Sequence, residues 1–220
     1  MQLIRPGFTF RRLIQPDYAQ EIEQVARTCY KSESKNTPDS AKPFVSNLVK
    51  RGHLAMVEFE DMTVRFTCDR AIANEIVRHR HCSFAQESTR YVNYKDGIKV
   101  IAPLFEEYWA FKEWYLACSD SETSYIDLIT GGVTPQIARS VLPLCTATEL
   151  VVKANLREWK HILERRTDKA AHPQMRELMI PLAKYCNEAA PEIFQIPIDD
   201  KRQEWYDIRS QHESWLKEIE

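Results

Sequence analysis

The sequence predicts a single α+β domain that covers residues 1–220. Three observations lead to this prediction: a length of 220 residues, one clear strand-like alternation of side chains, and several segments with helical spacing on both sides of that strand. With 44% hydrophobic and 28% charged residues, the composition is that of an ordinary globular protein. The chain has no internal repeat, no low-complexity tract and no convincing internal linker.

The first two predicted elements are helices. Apolar side chains at helical spacing follow Asp17, a suitable N-cap, as far as Cys29. A second helix is expected to begin near Ser40 and to run toward Gly52. Between the two helices, the polar run KSESKNTPDS predicts a loop.

The clearest strand signal comes next. Apolar and polar side chains alternate from residue 62 to residue 68, which predicts a half-buried strand with one apolar face, formed by Met62, Val64, Phe66 and Cys68. Asp69 follows the strand at a position where its side chain can cap a helix that continues to about Val77.

The middle of the chain predicts a long helix. This helix is expected from Phe105 to about Ile129, with a break near Ser119–Ser121. Two glycines, Gly131 and Gly132, would end it, and Pro135 suits the first turn of a further helix with Ile137, Val141 and Leu142.

The last third of the chain predicts one strand and three helices. Residues 146–154 have the composition of a strand, and amphipathic helices are expected at Leu156–Arg166 and Gln174–Asn187. From about residue 200 the tail predicts a charged helix, with apolar residues spaced to pack on the rest of the chain: Trp205, Ile208 and Trp215.

Charge and cysteine content exclude several classes of protein. A net charge of −2, from 30 basic and 32 acidic side chains, provides no general attraction to nucleic acid or to anionic membranes, so an anionic ligand needs a local cluster of cations. No apolar run approaches the roughly 20 residues of a membrane span, and the N-terminus has no signal-peptide pattern. The six cysteines are scattered without a CxxC pair, which favours reduced thiols and a cytoplasmic location.

The residues with the strongest chemical signal begin at the expected end of the helix that Asp69 caps. Arg78, His79, Arg80 and His81 form a short basic run, which is also what the negative end of a helix dipole favours. If the helix stops there, these side chains can surround an extended anion from several sides. A metal site built from His79, His81 and Cys82 is a poor match to zinc-ligand spacing, and no metal is expected.

A second polar stretch follows within a few residues. Gln86, Ser88, Thr89 and Arg90 bring an amide, two hydroxyls and a guanidinium close together, and such groups hold phosphate monoesters. A polar turn without a ligand is the alternative interpretation of this stretch alone. Together, the two stretches offer room for two anionic ligands side by side.

These residues resemble a known signature. Arg78-His79-Arg80, then seven residues, then Ser88 is similar to the RHR-x7-S motif of flavin-dependent thymidylate synthases. Further segments resemble the same family in the same order: ARTCYKSE at 26–33, GHLAMVEF at 52–59, TVRFTCDRAIANEIVRHR at 63–80, STRYVNY at 88–94, IARSVLPL at 137–144 and ANLREWKHILERRTDKAAHPQMREL at 154–178. The resemblance covers most of the chain except the long middle helix and the tail.

The resemblance implies a fold, an assembly and a reaction. It implies a central twisted, mostly antiparallel sheet flanked by helices, in a homotetramer whose active sites are shared between subunits. It also implies methylation of dUMP to dTMP, with methylenetetrahydrofolate as carbon donor and with FAD, reduced by NADPH, as hydride donor. No nucleic acid and no membrane partner is implied.

The resemblance also implies roles for individual residues. Those expected to contact FAD are Arg78, His79, Arg80, Gln86, Asn155, Leu156, Arg157, His161, His53 and Ala55. Those expected to contact dUMP are Glu75, Ile76, Val77 and Arg78 from one subunit, and Gln86, Glu87, Ser88, Thr89, Arg90 and Arg139 from its neighbour. Arg166 matches the arginine that the family places against the uracil ring, where a guanidinium can stabilise negative charge during the reaction.

Some positions depart from the family pattern. Ala85, Phe59 and Ala170 stand where family members often have asparagine or histidine, which puts individual flavin contacts in doubt. Two alternative functions stay open: a flavin-dependent hydroxymethylase of pyrimidine nucleotides on the same scaffold, and a non-catalytic nucleotide- or RNA-binding protein that uses the basic segment.

Overall fold

The structure is a computed structural model that describes residues 1–219. Its main sheet contains four antiparallel strands in the spatial order β2 (Gly7–Arg12), β3 (Asp61–Asp69), β6 (Ala147–Asn155) and β4 (Ser83–Gln86). Two short strands, β1 (Gln2–Leu3) and β5 (Lys99–Val100), form a separate parallel pair. The antiparallel main sheet with flanking helices is the architecture that the sequence predicted.

Eight α-helices are described in residues 1–219: α1 (Tyr18–Thr28), α2 (Ala41–Lys50), α3 (Arg70–Ile76), α4 (Tyr108–Thr130), α5 (Pro135–Ala138), α6 (Leu156–Arg166), α7 (Pro173–Ala189) and α8 (Arg202–Ile219). Short 3₁₀ turns lie at Glu33–Lys35, Leu54–Phe59 and Arg139–Val141. None of the helices in this described part of the chain is both long and apolar enough to cross a membrane.

The predicted apolar face of β3 forms the centre of the core. Met62, Val64, Phe66 and Cys68 are all buried, as the alternation predicted, and the indole nitrogen of Trp159 in α6 donates a hydrogen bond of 2.9 Å to the Met62 carbonyl. One contiguous cluster of buried side chains extends along the chain from Ile14 to Ile196. Because each large apolar side chain contributes roughly 1.5–3 kcal/mol on burial, this cluster holds the sheet against α1, α6 and α7.

Helices α3 and α6 begin at opposite ends of the strand pair β3–β6. Asp69, the last residue of β3, caps α3 by accepting a hydrogen bond of 2.7 Å from the Ile72 amide. Asn155, the last residue of β6, caps α6 by accepting one of 2.8 Å from the Glu158 amide. Since β3 and β6 are antiparallel, with Asp69 opposite Ala147 and Asp61 opposite Asn155, the helices start at opposite ends of this central strand pair. Their C-terminal ends meet where Arg166 of α6 contacts Glu75 of α3.

Two of the predicted helices need correction. The break near Ser119–Ser121 is wrong, because α4 is continuous from Tyr108 to Thr130. Hydroxyl groups in this stretch donate to the carbonyl four residues earlier, as Ser121 does to Ala117 at 3.0 Å, so these polar residues fit within a helix. The helix at Pro135 is also shorter than predicted, because α5 ends at Ala138 and Leu142 has extended backbone.

The charged tail forms α8, and its apolar side packs as the spacing predicted. Trp205 is buried, and His212 is stacked on Phe111 of α4 with ring centroids 4.7 Å apart. The tail therefore belongs to the folded structure and covers one side of α4. Strands β2 and β4 were not predicted, because both are short edge strands with a weak alternation.

Candidate active site

Helix α3 ends just before the basic run at residues 78–81. Helix α3 stops at Ile76, and residues 77–82 form a turn region. Arg78, His79 and Arg80 therefore do not follow the spacing of one helix. Arg78 and Arg80 are exposed, and within residues 1–219 their guanidinium groups make no hydrogen bond or ion pair with another side chain. Two unpaired cations beside a turn are suited to an anionic ligand.

Arg166 is held at the meeting point of α3 and α6. Its Nη1 donates to Glu75 Oε2 at 2.9 Å, its Nη2 donates to the Glu75 carbonyl at 3.1 Å, and its Nε donates to His79 Nε2 at 2.9 Å. The guanidinium therefore lies near the C-terminal ends of both helices, where their dipoles favour a positive charge. About a fifth of the Arg166 side chain, 21%, stays exposed to solvent. Arg166 is thus fixed in orientation but still accessible.

His79 is the neutral acceptor in this arrangement. Its side chain is only 9% exposed, and burial, followed by the charges of Arg166 and His161, lowers its pKa from 6.5 to about 4. Because Nε2 accepts a hydrogen bond from Arg166, the ring proton of the neutral histidine belongs on Nδ1, which lies 3.7 Å from Glu158 Oε1. The His161 ring lies edge-on at a centroid distance of 5.9 Å.

An open cleft lies directly beside Arg166 and His79. It has a volume of about 420 Å³ and is lined by His79, Glu164, Arg165, Arg166, Asp168, Ala170 and Ala171. Its volume falls in the range of small-molecule sites in proteins. The small side chains of Ala170 and Ala171 form part of its lining.

A second group of predicted residues joins the start of α6 to the 3₁₀ turn at 54–59. Arg157 Nη1 donates to Glu58 Oε1 at 2.6 Å, which ties this turn to α6. His53 and Ala55 are exposed and line a cavity of about 460 Å³ together with side chains of α1 and α2. The structure therefore brings His53, Ala55 and Arg157 to one region of the surface.

A third group contains the predicted phosphate-binding residues. Arg139 Nη1 donates to Thr89 Oγ1 at 3.4 Å, and the Arg90 amide donates to Ser88 Oγ at 3.3 Å. The Arg90 guanidinium lies over the Tyr91 ring, 5.3 Å from its centroid, and forms no ion pair among the described residues. Arg139, from the 3₁₀ turn at 139–141, thus contacts the loop after β4 that carries Ser88, Thr89 and Arg90.

The side chains of some predicted residues are already engaged within the chain. Glu87 accepts a hydrogen bond of 2.6 Å from the Tyr94 hydroxyl and one of 3.3 Å from the Glu149 amide, so its carboxylate anchors this loop. Ile76 and Leu156 have buried side chains in the core, which leaves only their main-chain atoms for a ligand. Gln86 is the last residue of β4 and is partly exposed.

The three groups differ in how closely the chain connects them. Helix α6 connects the Arg166 group with the Arg157 group, because Arg157, His161 and Arg166 all lie on it. Within residues 1–219, no hydrogen bond or ion pair joins the Arg166 group to the side chains of Ser88, Thr89, Arg90 or Arg139. The residues predicted to bind uracil and those predicted to bind phosphate therefore form two groups that no direct polar contact joins within residues 1–219.

Two residues near these groups were missed from the sequence. Glu158 faces His79, and its position three residues before His161 on a predicted helix is the signal that could have identified it. Tyr94 holds Glu87 through a contact between loop residues, for which the sequence carries no periodic signal. Burial, followed by the charge of Glu158, raises the pKa of the Cys82 thiol to about 12, so this cysteine is protonated at neutral pH.

Three comparisons relate the chain to known proteins. The family model described as thymidylate synthase complementing protein, Thy1, matches residues 12–192. Proteins named flavin-dependent thymidylate synthase from Mycobacterium marinum and Corynebacterium diphtheriae are each 30% identical to this chain over 192 residues. These alignments cover 79% of this chain and 77% and 76% of the two relatives.

A solved structure with a similar fold is a UMP/dUMP methylase, PolB, from Streptomyces cacaoi, bound with 5-Br dUMP. It superposes with a TM-score of 0.77 over 89% of this chain and 96% of that chain, at 21% sequence identity. This similarity supports the predicted α+β architecture.

Proposed function

The chain belongs to the family of flavin-dependent thymidylate synthases, and we propose that it converts dUMP to dTMP by reductive methylation. Methylenetetrahydrofolate is the proposed carbon donor, FAD the proposed flavin, and NADPH its proposed reductant. The observation that carries the proposal is the position of Arg166, a partly exposed guanidinium fixed by Glu75 and His79 at the edge of a cleft of about 420 Å³.

The main role of Arg166 is electrostatic. Attack by carbon 5 of uracil on the carbon donor requires negative charge to accumulate in the pyrimidine ring. A guanidinium that is already oriented by three hydrogen bonds stabilises that charge without reorganising first, which is worth roughly 3–4 kcal/mol for a single well-placed donor. Neutral His79 contributes by holding Arg166 Nε without adding a second positive charge.

The described residues fit a flavin in three respects. Arg78 and Arg80 have no partner side chain within residues 1–219 and are suited to an anionic cofactor. The cavity of about 460 Å³ is lined in part by His53 and Ala55, next to the 3₁₀ turn that Arg157 of α6 holds through Glu58. Asn155 uses its side-chain oxygen as the α6 cap, so its amide NH₂ group stays free to donate. When bound, the flavin supplies the hydride that completes the methyl group.

The phosphate of dUMP is assigned to the loop after β4. Ser88, Thr89, Arg90 and Arg139 offer hydroxyls and guanidinium groups of the kind that bind a phosphate monoester. Glu87 keeps this loop in shape through Tyr94 and Glu149, rather than contacting the anionic phosphate.

Because no polar contact joins the proposed uracil-binding and phosphate-binding groups within residues 1–219, we propose that a complete site combines one group from each of two copies in a homotetramer. Exposed apolar side chains on and near α4 supply surface for such contacts: Trp109, Leu116, Ile137 and Leu144. A cytoplasmic location is proposed with it, because the six cysteines are free thiols of the kind that persist in a reducing compartment. No nucleic acid or membrane is a proposed partner.

The test is an anaerobic reaction of the purified, flavin-reduced protein with dUMP and methylenetetrahydrofolate, followed by mass spectrometry of the nucleotide. We expect the mass of dTMP. A hydroxymethylated nucleotide would instead assign the chain to hydroxymethylation on the same scaffold, and unreacted dUMP in flavin-loaded protein would refute the proposed substrate.

The role of Arg166 has its own test. Arg166→Ala is expected to reduce dTMP formation by about a hundredfold or more while the flavin stays bound. Lys169→Ala, which removes a nearby exposed cation that does not line the cleft, is the control. Equal turnover in wild type and Arg166→Ala would remove Arg166 from the reaction.

A further inference from the structure

The tail helix α8 lies outside the segment that matches the family model, which ends at residue 192. One of its residues, Arg209, is nevertheless among the most deeply buried charged side chains of the described chain, with 4% of its surface exposed. A buried guanidinium is costly unless all of its donors find partners. Its partners therefore show what α8 is attached to.

Arg209 binds α7 and the segment after β5 at the same time. Its Nε and Nη2 donate to the two carboxylate oxygens of Glu177 at 3.0 and 2.7 Å, a bidentate pair. Its Nη1 donates to the Ala102 carbonyl. Glu177 is itself only 14% exposed at its side chain, so the pair is shielded from solvent.

The contacts continue from α7 to the start of α3. Gln174, one helical turn before Glu177, reaches the same Ala102 carbonyl at 3.5 Å with its Nε2. The same Nε2 donates to Asp69 Oδ2 at 2.7 Å. Asp69 uses its other oxygen to cap α3 at Ile72. All members of this chain of contacts are buried, apart from Glu177, which is partly buried.

Helix α3 leads directly to the candidate site. Glu75 lies near its C-terminal end and holds Arg166 with both its carboxylate and its carbonyl. We propose that Arg209 is a positioning residue for the methylation reaction. It fixes α3 through Ala102, Gln174 and Asp69, and so keeps Glu75 in position to hydrogen-bond with Arg166. This inference rests on the proposed function of Arg166. It assigns a role in catalysis to a helix beyond the family-matched segment.

The test compares steady-state dTMP formation by full-length, flavin-loaded wild type, Arg209→Met and Arg202→Met. Arg202 is the matched control, because it is an exposed arginine of the same helix that pairs only with Asp200 among the described residues. We expect Arg209→Met to lower kcat about tenfold, since a small displacement of the group that orients Arg166 reduces charge stabilisation. The KM for dUMP should change less than about threefold, because the phosphate-binding cluster lies on other elements.

A double variant tests the route of the effect. If Arg209 acts through Gln174, then Gln174→Met and Arg209→Met/Gln174→Met should have the same kcat, because both interrupt one path. Fully multiplicative losses in the double variant would overturn this route. Wild-type kcat in Arg209→Met, even with a lowered melting temperature, would reduce Arg209 to a structural residue and overturn the inference.

A substitute variant and a wild-type control complete the experiment. If Arg209→Met does not fold, Arg209→Lys serves instead, since an ammonium cannot satisfy both Glu177 oxygens and Ala102 in the same fork geometry. A kcat of Arg209→Lys equal to that of wild type would again overturn the inference. Failure of the proposed function shows separately, as wild type that forms no dTMP under the same conditions.

Discussion

His79 should make the folded protein sensitive to mild acid. Its pKa is lowered from 6.5 to about 4 in the folded protein, first by burial and then by Arg166 and His161. The unfolded chain therefore binds the proton first as the pH falls, and stability decreases from about pH 6.5 toward pH 4. No such loss from His79 is expected above pH 6.5.

The size of the effect follows from the two pKa values. At pH 5, an unfolded histidine is almost fully protonated while His79 in the folded protein is still mostly neutral. The difference corresponds to a loss of about 2 kcal/mol in the free energy of unfolding between pH 7.5 and pH 5. That is a large share of the 5–15 kcal/mol typical of folded domains.

The assay is urea-induced unfolding of wild type and His79→Gln at pH 7.5 and pH 5, at one fixed protein concentration and without added flavin. Glutamine still offers an oxygen to Arg166 Nε but does not titrate, and the other titrating groups contribute equally to both proteins. Wild type should lose about 2 kcal/mol more than His79→Gln on acidification. Equal losses in the two proteins would show that His79 takes up its proton in the folded state at an ordinary pKa, and would refute the reasoning.

Three further predictions concern other parts of the site. Arg90→Ala should raise the KM for dUMP at least about tenfold with a smaller change in kcat, because a guanidinium–phosphate contact binds ground and transition states alike; unchanged dUMP binding would remove Arg90 from the phosphate site. Asp69→Ala should cost about 2–3 kcal/mol in urea unfolding, since it removes the α3 cap and leaves the Gln174 amide without its partner of 2.7 Å. Cys82→Ala should keep dTMP formation within about twofold, because its thiol, with a pKa raised to about 12, is not a nucleophile at neutral pH.

Much of the fold could be predicted because its signals are local. The alternation at 62–68, the cap at Asp69 and the spacing in α6 each depend on neighbours within a few residues. Two features of the fold were not predicted correctly: strand β4 and the continuity of helix α4. Strand β4 is defined by its pairing with β6 some 70 residues later in the sequence, as in Ser83 opposite Lys153. The serines of α4 satisfy their hydroxyls inside the helix, where a break was predicted.

The contacts among Glu75, His79 and Arg166 could not be predicted from the sequence. The sequence identified Glu75, His79 and Arg166 individually, but nothing in it indicates that the two others bind Arg166 directly. Contacts between residues 91 positions apart depend on how the strands pair, which local patterns do not specify. The ligand contacts of these residues, the single-domain boundaries and the tetramer stay predictions.

The origin of α3 and α6 on neighbouring strands has a consequence for how this chain can change length. Glu75 and Arg166 are 91 residues apart, yet the helices that carry them start from two paired strands, β3 and β6, in which Phe66 lies opposite Leu150. The connection between β4 and β6, which includes all of α4, is long. Insertions or deletions at its exposed turns, such as the one at Gly131–Gly132, would leave the distance from Glu75 to Arg166 unchanged. Length changes at such turns, away from Ala102, would therefore leave the contact between Glu75 and Arg166 in place.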